Sequence, residues 1–528
     1  MTDLLPPVAF GLPEKFVDWR TDQDEAIFSI INNEKRFITQ VAPCGFGKSL
    51  VYVAAAVFKG ERSILLTSTK GLQTQLLNDF ETMGAVDIRG RNAYPCNLVK
   101  DGTRCDQGPC IAGVKCGLKD EGRCLYFKQV KKAQKAKIVI TNYAYWMTNS
   151  KYALEGLGDF DFMVCDEAHG VPNSVSAFLT VTLERSDVVV ETILPSENVL
   201  HQMSIRAWRQ WALSYEQRIA KEIELLSATV REGGGKTSRR RLSKLKSVKT
   251  NLATISNMQD DWAIDIGKFV ISFAPVWPAP YCEESLFLNV NRILLTSASV
   301  CEKTVNMLGV SFEDNIIQEY AHTFPLENRL LTHIPHNPPV RMNRHTTDMQ
   351  MRQWLTKIDQ IIKGRLDRNG IVHTVSYDRR NLVITHSKHK EYMVTHKRLD
   401  TEKVVERFKR MKSPAILVSP SMSTGWDFPD DTCRYQIIGK IAYPDTRNVI
   451  VKARTKDDPE YTSYEAMQQL VQTCGRPVRS ATDWAENFII DDNIGWFIKR
   501  YGKFAPKWFT EAIRKSARIP TSPKIKKV

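Results

Sequence analysis

Nowhere does the sequence hold an apolar run near the roughly 18 to 20 residues that cross a bilayer, so no transmembrane helix and no membrane partner are expected. The N-terminal stretch MTDLLPPVAFGLPEKF lacks a basic start followed by a long apolar block, which argues against a secretory signal and for a cytosolic chain. Tight C-x2-C pairs are missing among the eleven cysteines, which argues against many zinc-finger and ribbon patterns. In a reducing cytosol, clustered thiols read as metal ligands or redox groups before they read as disulfides. Acid is outnumbered: 59 Asp and Glu stand against 74 Lys and Arg, a formal net charge of +15. Such an excess favours a polyanionic partner, nucleic acid first, and on charge alone a generic soluble surface with basic tails is an equal alternative. Internal repeats and long low-complexity segments are also absent.

The 528 residues exceed one ordinary core, and about two to four domains are expected. β-rich runs alternate with helical segments: RFITQVAP, a helix from Lys48, SILLTST, a helix from about Leu72, AKIVITN and DFMVCDEAH. This is the rhythm of a parallel α/β sheet. Two blocks interrupt it. One, residues 89–137, is rich in cysteine. The other, residues 172–274, places Trp208, Trp211, Tyr215, Ile219, Ile223 and Leu226 on one helical stripe. It breaks at the glycines 233–235 and resumes with Leu242, Leu245, Val248, Leu252 and Ile255. That pattern predicts a helical hairpin whose apolar seam packs on itself or on the sheet domain. RILLTSASV returns to strand, and from about residue 331 GIVHTVSY, AILVSPS, RYQIIGKI and NFIID predict a second α/β domain. The stretch from Lys499 carries ten Lys or Arg and one acid, and its end, PKIKKV, is expected to be disordered.

VAPCGFGKSL follows a predicted strand and opens a helix, the setting a P-loop needs. Backbone N–H groups around Gly45, Phe46 and Gly47 would cradle phosphates at the helix N-terminus, Lys48 would reach the β and γ oxygens, and Ser49 would ligate Mg²⁺. Ala42 stands where the common pattern has its first glycine. Downstream, DFMVCDEAHG is a hydrophobic strand ending in two carboxylates. Asp166 is placed to hold Mg²⁺ and Glu167 to accept a proton from the attacking water. Near the C-terminus QTCGRPVRS supplies Gln472, Arg476 and Arg479. Two arginines three apart on a helix share a face and would stabilise charge developing on the γ-phosphate; surface salt bridges are the plainer alternative.

In this order the pieces resemble the superfamily 2 helicases and, more narrowly, the XPD/DinG group of iron–sulfur helicases. DWRTDQDEAI is similar to the upstream adenine-side motif, which puts Arg20 and Gln23 near the nucleotide. APCGFGKS resembles motif I, LLTSTKGLQTQL motif Ia, DEAH motif II, LLTSASV motif III, GIVHTVSY motif IV, SPSMSTGWDFPD motif V and QTCGRPVRS motif VI. The resemblance runs over residues 16–495 and is weakest across the hairpin. It implies an α/β chain with two RecA-like parallel-sheet motor domains, a cysteine-rich metal-binding insertion and a helical arch-like insertion. The implied division gives residues 1–88, 138–171 and 275–330 to motor domain 1, 89–137 to the cysteine-rich insertion, 172–274 to the arch, and 331–528 to motor domain 2 with its basic tail. ATP would bind between the motor domains, Lys48 and Glu167 on one side and Arg476 and Arg479 on the other. Gly425 and Asp427 of motif V, with Thr296 to Ser299 of motif III, would couple hydrolysis to a strand crossing both domains. Movement 5′ to 3′ on single-stranded DNA is implied by the resemblance alone.

Cys96, Cys105, Cys110, Cys116 and Cys124 run C-x8-C-x4-C-x5-C-x7-C. They offer five candidates for the four places of a [4Fe–4S] cluster, with Zn²⁺ as the alternative and free thiols behind both. By resemblance Cys96, after GRNAYP, and Cys124, before LYFKQV, are the firmest ligands. Past Cys124, residues Lys128, Lys131, Lys132 and Lys135 fall on one helical face, either a solvated lysine face or a phosphate track. The hairpin tip KTSRRRLSKLKSVK has seven basic residues and no acid, and suits a displaced strand or a protein partner. The expected activity is ATP-dependent DNA unwinding at single-strand and junction substrates in a bacterial or phage cytosol, with RNA left open. A translocase that remodels nucleoprotein without separating strands is the second reading. A nucleotide-switched binding module is the third, opposed by the presence of Lys48, Asp166, Glu167, Arg476 and Arg479 together. No carboxylate cluster outside these motifs suggests an attached nuclease.

Overall fold

Strands such as Ser63–Thr67 and Phe162–Asp166 are buried along almost their whole length, the mark of parallel strands covered by helices on both faces. In the computed structural model, which describes residues 4–99, 101–152, 156–184, 197–420, 426, 428–478, 480 and 482–523, they build two parallel seven-stranded sheets. The first sheet runs, edge to edge, Asn315–Glu319, Phe37–Val41, Arg292–Ser297, Phe162–Asp166, Ser63–Thr67, Ile138–Asn142 and Val86–Asp87. Strand Arg292–Ser297 lies between the P-loop strand and the DEAH strand, in register Val41 with Ser297 and Asp166 with Thr296. Three motifs far apart in sequence therefore meet at the carboxyl ends of adjacent central strands.

The second sheet runs Met393–Thr395, Ile416–Ser419, Gly370–His373, Tyr435–Ile438, Glu486–Ile489, Leu331–His333 and Ile513–Lys515. Its outermost strand belongs to the stretch expected to be a basic tail. Ile513–Lys515 pairs with Leu331–His333, and beyond it buried Arg365 and Arg368 donate to the carbonyls of Pro520 and Pro523 at 3.1 and 2.8 Å. Charge counting from Lys499 missed Trp508 and Phe509, which are buried in the second-domain core. Lys524 to Val528 lie outside the described residues.

The two sheet domains meet through Arg454, 2% exposed. Its guanidinium donates to the Val276 carbonyl at 2.5 Å, Ser176 Oγ at 2.8 Å and Tyr461 Oη at 3.0 Å.

The second insertion contains the expected hairpin, helices Ile205–Arg231 and Lys236–Ser256 joined at glycines 233–235. It also contains a three-stranded antiparallel sheet, Val181–Glu184, Val270–Pro275 and Trp262–Ile266, which the helical reading overlooked. Trp208, Tyr215, Ile219, Leu252 and Ile255 bury against Leu183, Ile271 and Phe273 of that sheet. The seam thus packs both on itself and on a base of its own. Leu242, near the tip, turns instead to Ala112 of the cysteine block.

Candidate nucleotide site and cysteine cluster

The loop between Val41 and helix Lys48–Lys59 turns on two left-handed glycines, Gly45 at φ +80° and Gly47 at φ +82°. A Cβ on Gly47 would collide with the Gln23 amide, and one on Gly45 with the Phe324 ring. Gln23, 1% exposed, accepts from the Arg20 N–H at 2.9 Å and donates to the Phe46 carbonyl at 2.7 Å, while the Arg20 guanidinium donates to the Gly45 carbonyl. The upstream pair therefore braces the loop. Phe46 is buried against Tyr320, so only its backbone faces the phosphate position. Lys48 Nζ donates to the Ala42 carbonyl at 3.2 Å at the start of the same helix as Ser49.

Asp166 ends its strand, and Glu167 takes a left-handed φ of +54°, rare for a residue with a side chain. Burial, reinforced by the Glu167 charge, pushes the Asp166 carboxyl up to about 7 despite nearby Lys48. A buried acid beside a like charge is poised for a cation. His169 Nδ1 lies 2.7 Å from Ser297 Oγ and 3.3 Å from Glu167 Oε2, and Ser297 Oγ is 3.4 Å from the same carboxylate. From the second domain Gln472 Nε2 donates to Ser299 Oγ at 2.8 Å and reaches His169 Nδ1 at 3.4 Å.

Arg476 is buried and donates to the Trp426 carbonyl at 2.7 Å. The expectation that Arg476 and Arg479 share a helix face is corrected: helix Tyr461–Cys474 stops at Gly475, and Pro477 prevents its continuation. Arg479, Gly425 and Asp427 lie outside the described residues. Cys44 Sγ lies 3.5 Å from where a Cβ on Gly475 would sit, so the P-loop and the turn carrying Arg476 are in close approach.

Sequence reasoning missed the connection between the domains. Phe324 is buried with Val478 and Ala485, and His322 stacks obliquely on Phe324 and against Trp508. Burial, with Arg329 and Lys48 adding, holds the His322 imidazole down to about 3 and so neutral. Its only sequence signal is an aromatic and a histidine in a segment without motif.

All five block cysteines line one pocket, with Arg91, Leu118 and Phe127. Gly108 makes room: a Cβ there would stand 3.0 Å from Cys96 Sγ and 3.7 Å from Cys110 Sγ. Burial and the Cys124 and Cys96 sulfurs push the Cys105 thiol up to about 12; Cys110 is raised by burial as well. Among the described residues no three His, Cys, Asp or Glu side chains stand in single-ion geometry. Lys128, Lys131, Lys132 and Lys135 all lie exposed on helix Leu125–Lys135, whose other face buries Tyr126, Val130 and Ala133.

The basic hairpin tip is not a free surface. Arg231 donates to the Ala112 carbonyl at 3.0 Å, Lys236 to that of Asp101 at 2.8 Å, Ser243 to that of Asp106 at 3.2 Å, and Lys246 to that of Ile111. Arg239, buried, pairs with the Asp101 carboxylate. Three of the tip's seven basic residues, Lys236, Arg239 and Lys246, are spent on docking the cysteine block.

Residues 359–512 match the helicase C-terminal domain family, and residues 16–184 match the family described as type III restriction enzyme, res subunit. A Methanocaldococcus jannaschii protein named as a probable ATP-dependent helicase is 24% identical over 191 residues, 30% of this chain and 29% of that protein's length. A solved XPD helicase superposes with a TM-score of 0.63 at 15% identity, covering 98% of this chain and all of that one, 100%. The S. tokodaii Xpd4 structure gives 0.60 at 13% identity, covering 94% and 100%. No described helix is long and apolar enough to cross a membrane. The helicase C-terminal domain match and the res-subunit match thus lie end to end on one fold of XPD-like architecture, which brings the P-loop, the DEAH residues and Gln472 into close approach.

Proposed function

We propose that the protein is an ATP-dependent helicase that travels 5′ to 3′ on single-stranded DNA and parts duplex ahead of it. One observation carries the reading. Hydrogen bonds run from Gln472 Nε2 to Ser299 Oγ, from the Ser299 N–H to Ser297 Oγ and from Ser297 Oγ to Glu167, joining the base that would activate water to the opposite motor domain. Hydrolysis in the cleft is thereby tied to the relative position of the two domains, which a motor requires and a passive binder does not. With ATP bound, the Gly45 to Ser49 turn cradles the phosphates, Lys48 neutralises their charge, Asp166 takes Mg²⁺ and Glu167 accepts the water's proton. Arg476 answers charge on the γ-phosphate once it turns from the Trp426 carbonyl.

The cysteine pocket fits a [4Fe–4S] cluster better than zinc. Zinc holds four sulfurs at about 2.3 Å each and draws them into one small tetrahedron, whereas a four-iron cluster takes thiolates from around a cavity. Five thiols lining one pocket, without tight C-x2-C pairs, support the latter. When bound, such a cluster cross-links loop segments that have little core of their own.

The test is strand separation on two forks of equal duplex, one with only a 5′ tail and one with only a 3′ tail, with Lys48→Ala as control. Opening of the 5′-tailed fork alone, lost in the variant, is the expected result. Opening of the 3′-tailed fork overturns the polarity. DNA-stimulated hydrolysis without opening of either fork makes the protein a translocase.

A further inference from the structure

Five of the eleven cysteines line the pocket of the first insertion. Two others border a single small space between the motor domains. Cys44 belongs to the P-loop, between Pro43 and Gly45, and its side chain is half-buried. Cys474 is the last residue of helix Tyr461–Cys474, midway in sequence between Gln472 and Arg476. Nothing in a phosphate-cradling loop calls for a thiol, since such loops work through backbone N–H groups.

The space bordered by both thiols is about 20 Å³, room for one water molecule. Leu331, Val478, Trp508 and Phe509 close its apolar sides. Cys44 packs on the hydrophobic cluster that contains Cys474, and a Cβ on Gly475, the residue after Cys474, would stand 3.5 Å from the Cys44 sulfur. A disulfide spans Cα atoms about 4.4 to 6.8 Å apart, so thiols that share a one-water space are placed for one. Their surroundings divide the work. Cys44 is open to a small oxidant, whereas Cys474 is 8% exposed and burial pushes its thiol up, so it stays protonated and does not start the reaction. Cys301, which packs on the same cluster, is turned to Thr304.

We propose that Cys44 and Cys474 form an oxidation site, at which a hydroperoxide makes a disulfide that ties the P-loop to the turn carrying Arg476. The Cys44 sulfur attacks the peroxide O–O bond, becomes a sulfenic acid and releases water. The Cys474 sulfur then attacks the Cys44 sulfur; the S–O bond breaks, and the departing hydroxide takes the Cys474 proton and leaves as water. Two electrons from two thiols thus reduce one peroxide, and a dithiol reverses the bond by exchange. Where thiols are otherwise kept reduced, such a bond is transient and signals oxidation. Its effect on turnover rests on the helicase reading. Hydrolysis there needs Arg476 to turn from the Trp426 carbonyl and the two domains to change their spacing, and a covalent tie beside Arg476 holds both still.

The experiment treats the full chain, purified anaerobically, with a small excess of hydrogen peroxide and blocks the remaining thiols with N-ethylmaleimide. Digested peptides are read by mass, and ATP turnover is followed in parallel. The expected product is the peptide carrying Cys44 joined to that carrying Cys474, two hydrogens lighter than the pair. Turnover should fall in proportion to the joined fraction, and dithiothreitol should restore both together. Cys474→Ala should instead hold Cys44 as a sulfenic acid that dimedone captures. Recovery of both thiols reduced in treated wild type, or a link from Cys44 to Cys301 in place of Cys474, overturns the site. A complete link with turnover unchanged overturns the control. So does an equal loss of turnover in wild type and Cys44→Ala, each against its own untreated sample, since the damage then lies at other cysteines. A reduced chain that hydrolyses no ATP removes the helicase reading and the control with it, while the link itself is judged by mass alone.

Discussion

Gln472 of the second domain donates to Ser299 Oγ of the first at 2.8 Å, and the same amide reaches His169, whose ring lies 3.3 Å from Glu167. One side chain thus reads both the loop that follows strand Arg292–Ser297 and the carboxylate pair. Gln472→Ala should uncouple them. A hydrogen bond of this kind contributes about 0.5 to 1.5 kcal/mol, so DNA-stimulated turnover should fall roughly 2- to 13-fold. Ser299→Ala should cost a similar factor, and the double variant little more than either alone, because both remove one contact. Steady-state hydrolysis with and without DNA measures all three; additive losses would show that the contact carries no coupling.

Asp166 gives a pH signature. Burial and Glu167 raise its folded-state pKa to about 7, above the 3.8 of an exposed carboxyl. Without cation, the stability linked to this group is fully present at low pH and is lost as pH rises through about 7, because the folded protein holds the proton longer than the unfolded chain. Mg²⁺ must displace that proton. Nucleotide-dependent Mg²⁺ affinity should therefore weaken as pH falls below about 7, with proton release on binding. Calorimetry in two buffers of different ionisation enthalpy measures the release, and Asp166→Asn should abolish it.

The exposed face of Lys128, Lys131, Lys132 and Lys135 is either a phosphate track or a solvated surface, and salt distinguishes them. Each lost contact with single-stranded DNA lowers the slope of log affinity against log salt by about 0.7. The fourfold Lys→Ala variant should flatten the slope by roughly 2 to 3 units and weaken all sequences alike. An unchanged slope would leave these lysines a solvated face.

What the sequence made legible follows how locally each feature is encoded. The P-loop and the DEAH strand were readable because backbone geometry demands Gly45 and Gly47, and because FMVCD is apolar up to its acids. The short strands Val86–Asp87, Leu331–His333 and Ile513–Lys515 were not, since two or three residues carry no period and owe their pairing to neighbours. The antiparallel base under the hairpin was hidden for a related reason: Val181–Glu184 and Trp262–Ile266 lie on either side of a long helical segment, and only the fold brings them onto Val270–Pro275. The shared face assigned to Arg476 and Arg479 failed on Gly475 and Pro477, both visible in the sequence and both helix terminators. The use of Lys236, Arg239 and Lys246 could not be inferred from charge, because their partners are mostly backbone carbonyls some 135 residues away.

That last arrangement joins the two insertions and yields a prediction about metal. The carbonyls of Asp101, Asp106, Ile111 and Ala112, which accept from the hairpin, lie on the loops that carry Cys105 and Cys110. Loops without a core keep their shape only while something cross-links them, and thiolate–metal bonds do so. Anaerobically purified protein should contain iron. Removing it by chelation should raise amide hydrogen exchange in residues 236–246 as well as in the block, while helix Lys48–Lys59 keeps its protection. Arg239→Ala should produce the same loosening of the hairpin tip with the metal content unchanged, since it removes the docking bonds and no thiol. Equal exchange in the loaded and stripped protein would mean that hairpin and block hold each other without the metal. Stoichiometric zinc in place of iron would leave the docking argument intact and overturn the cluster assignment.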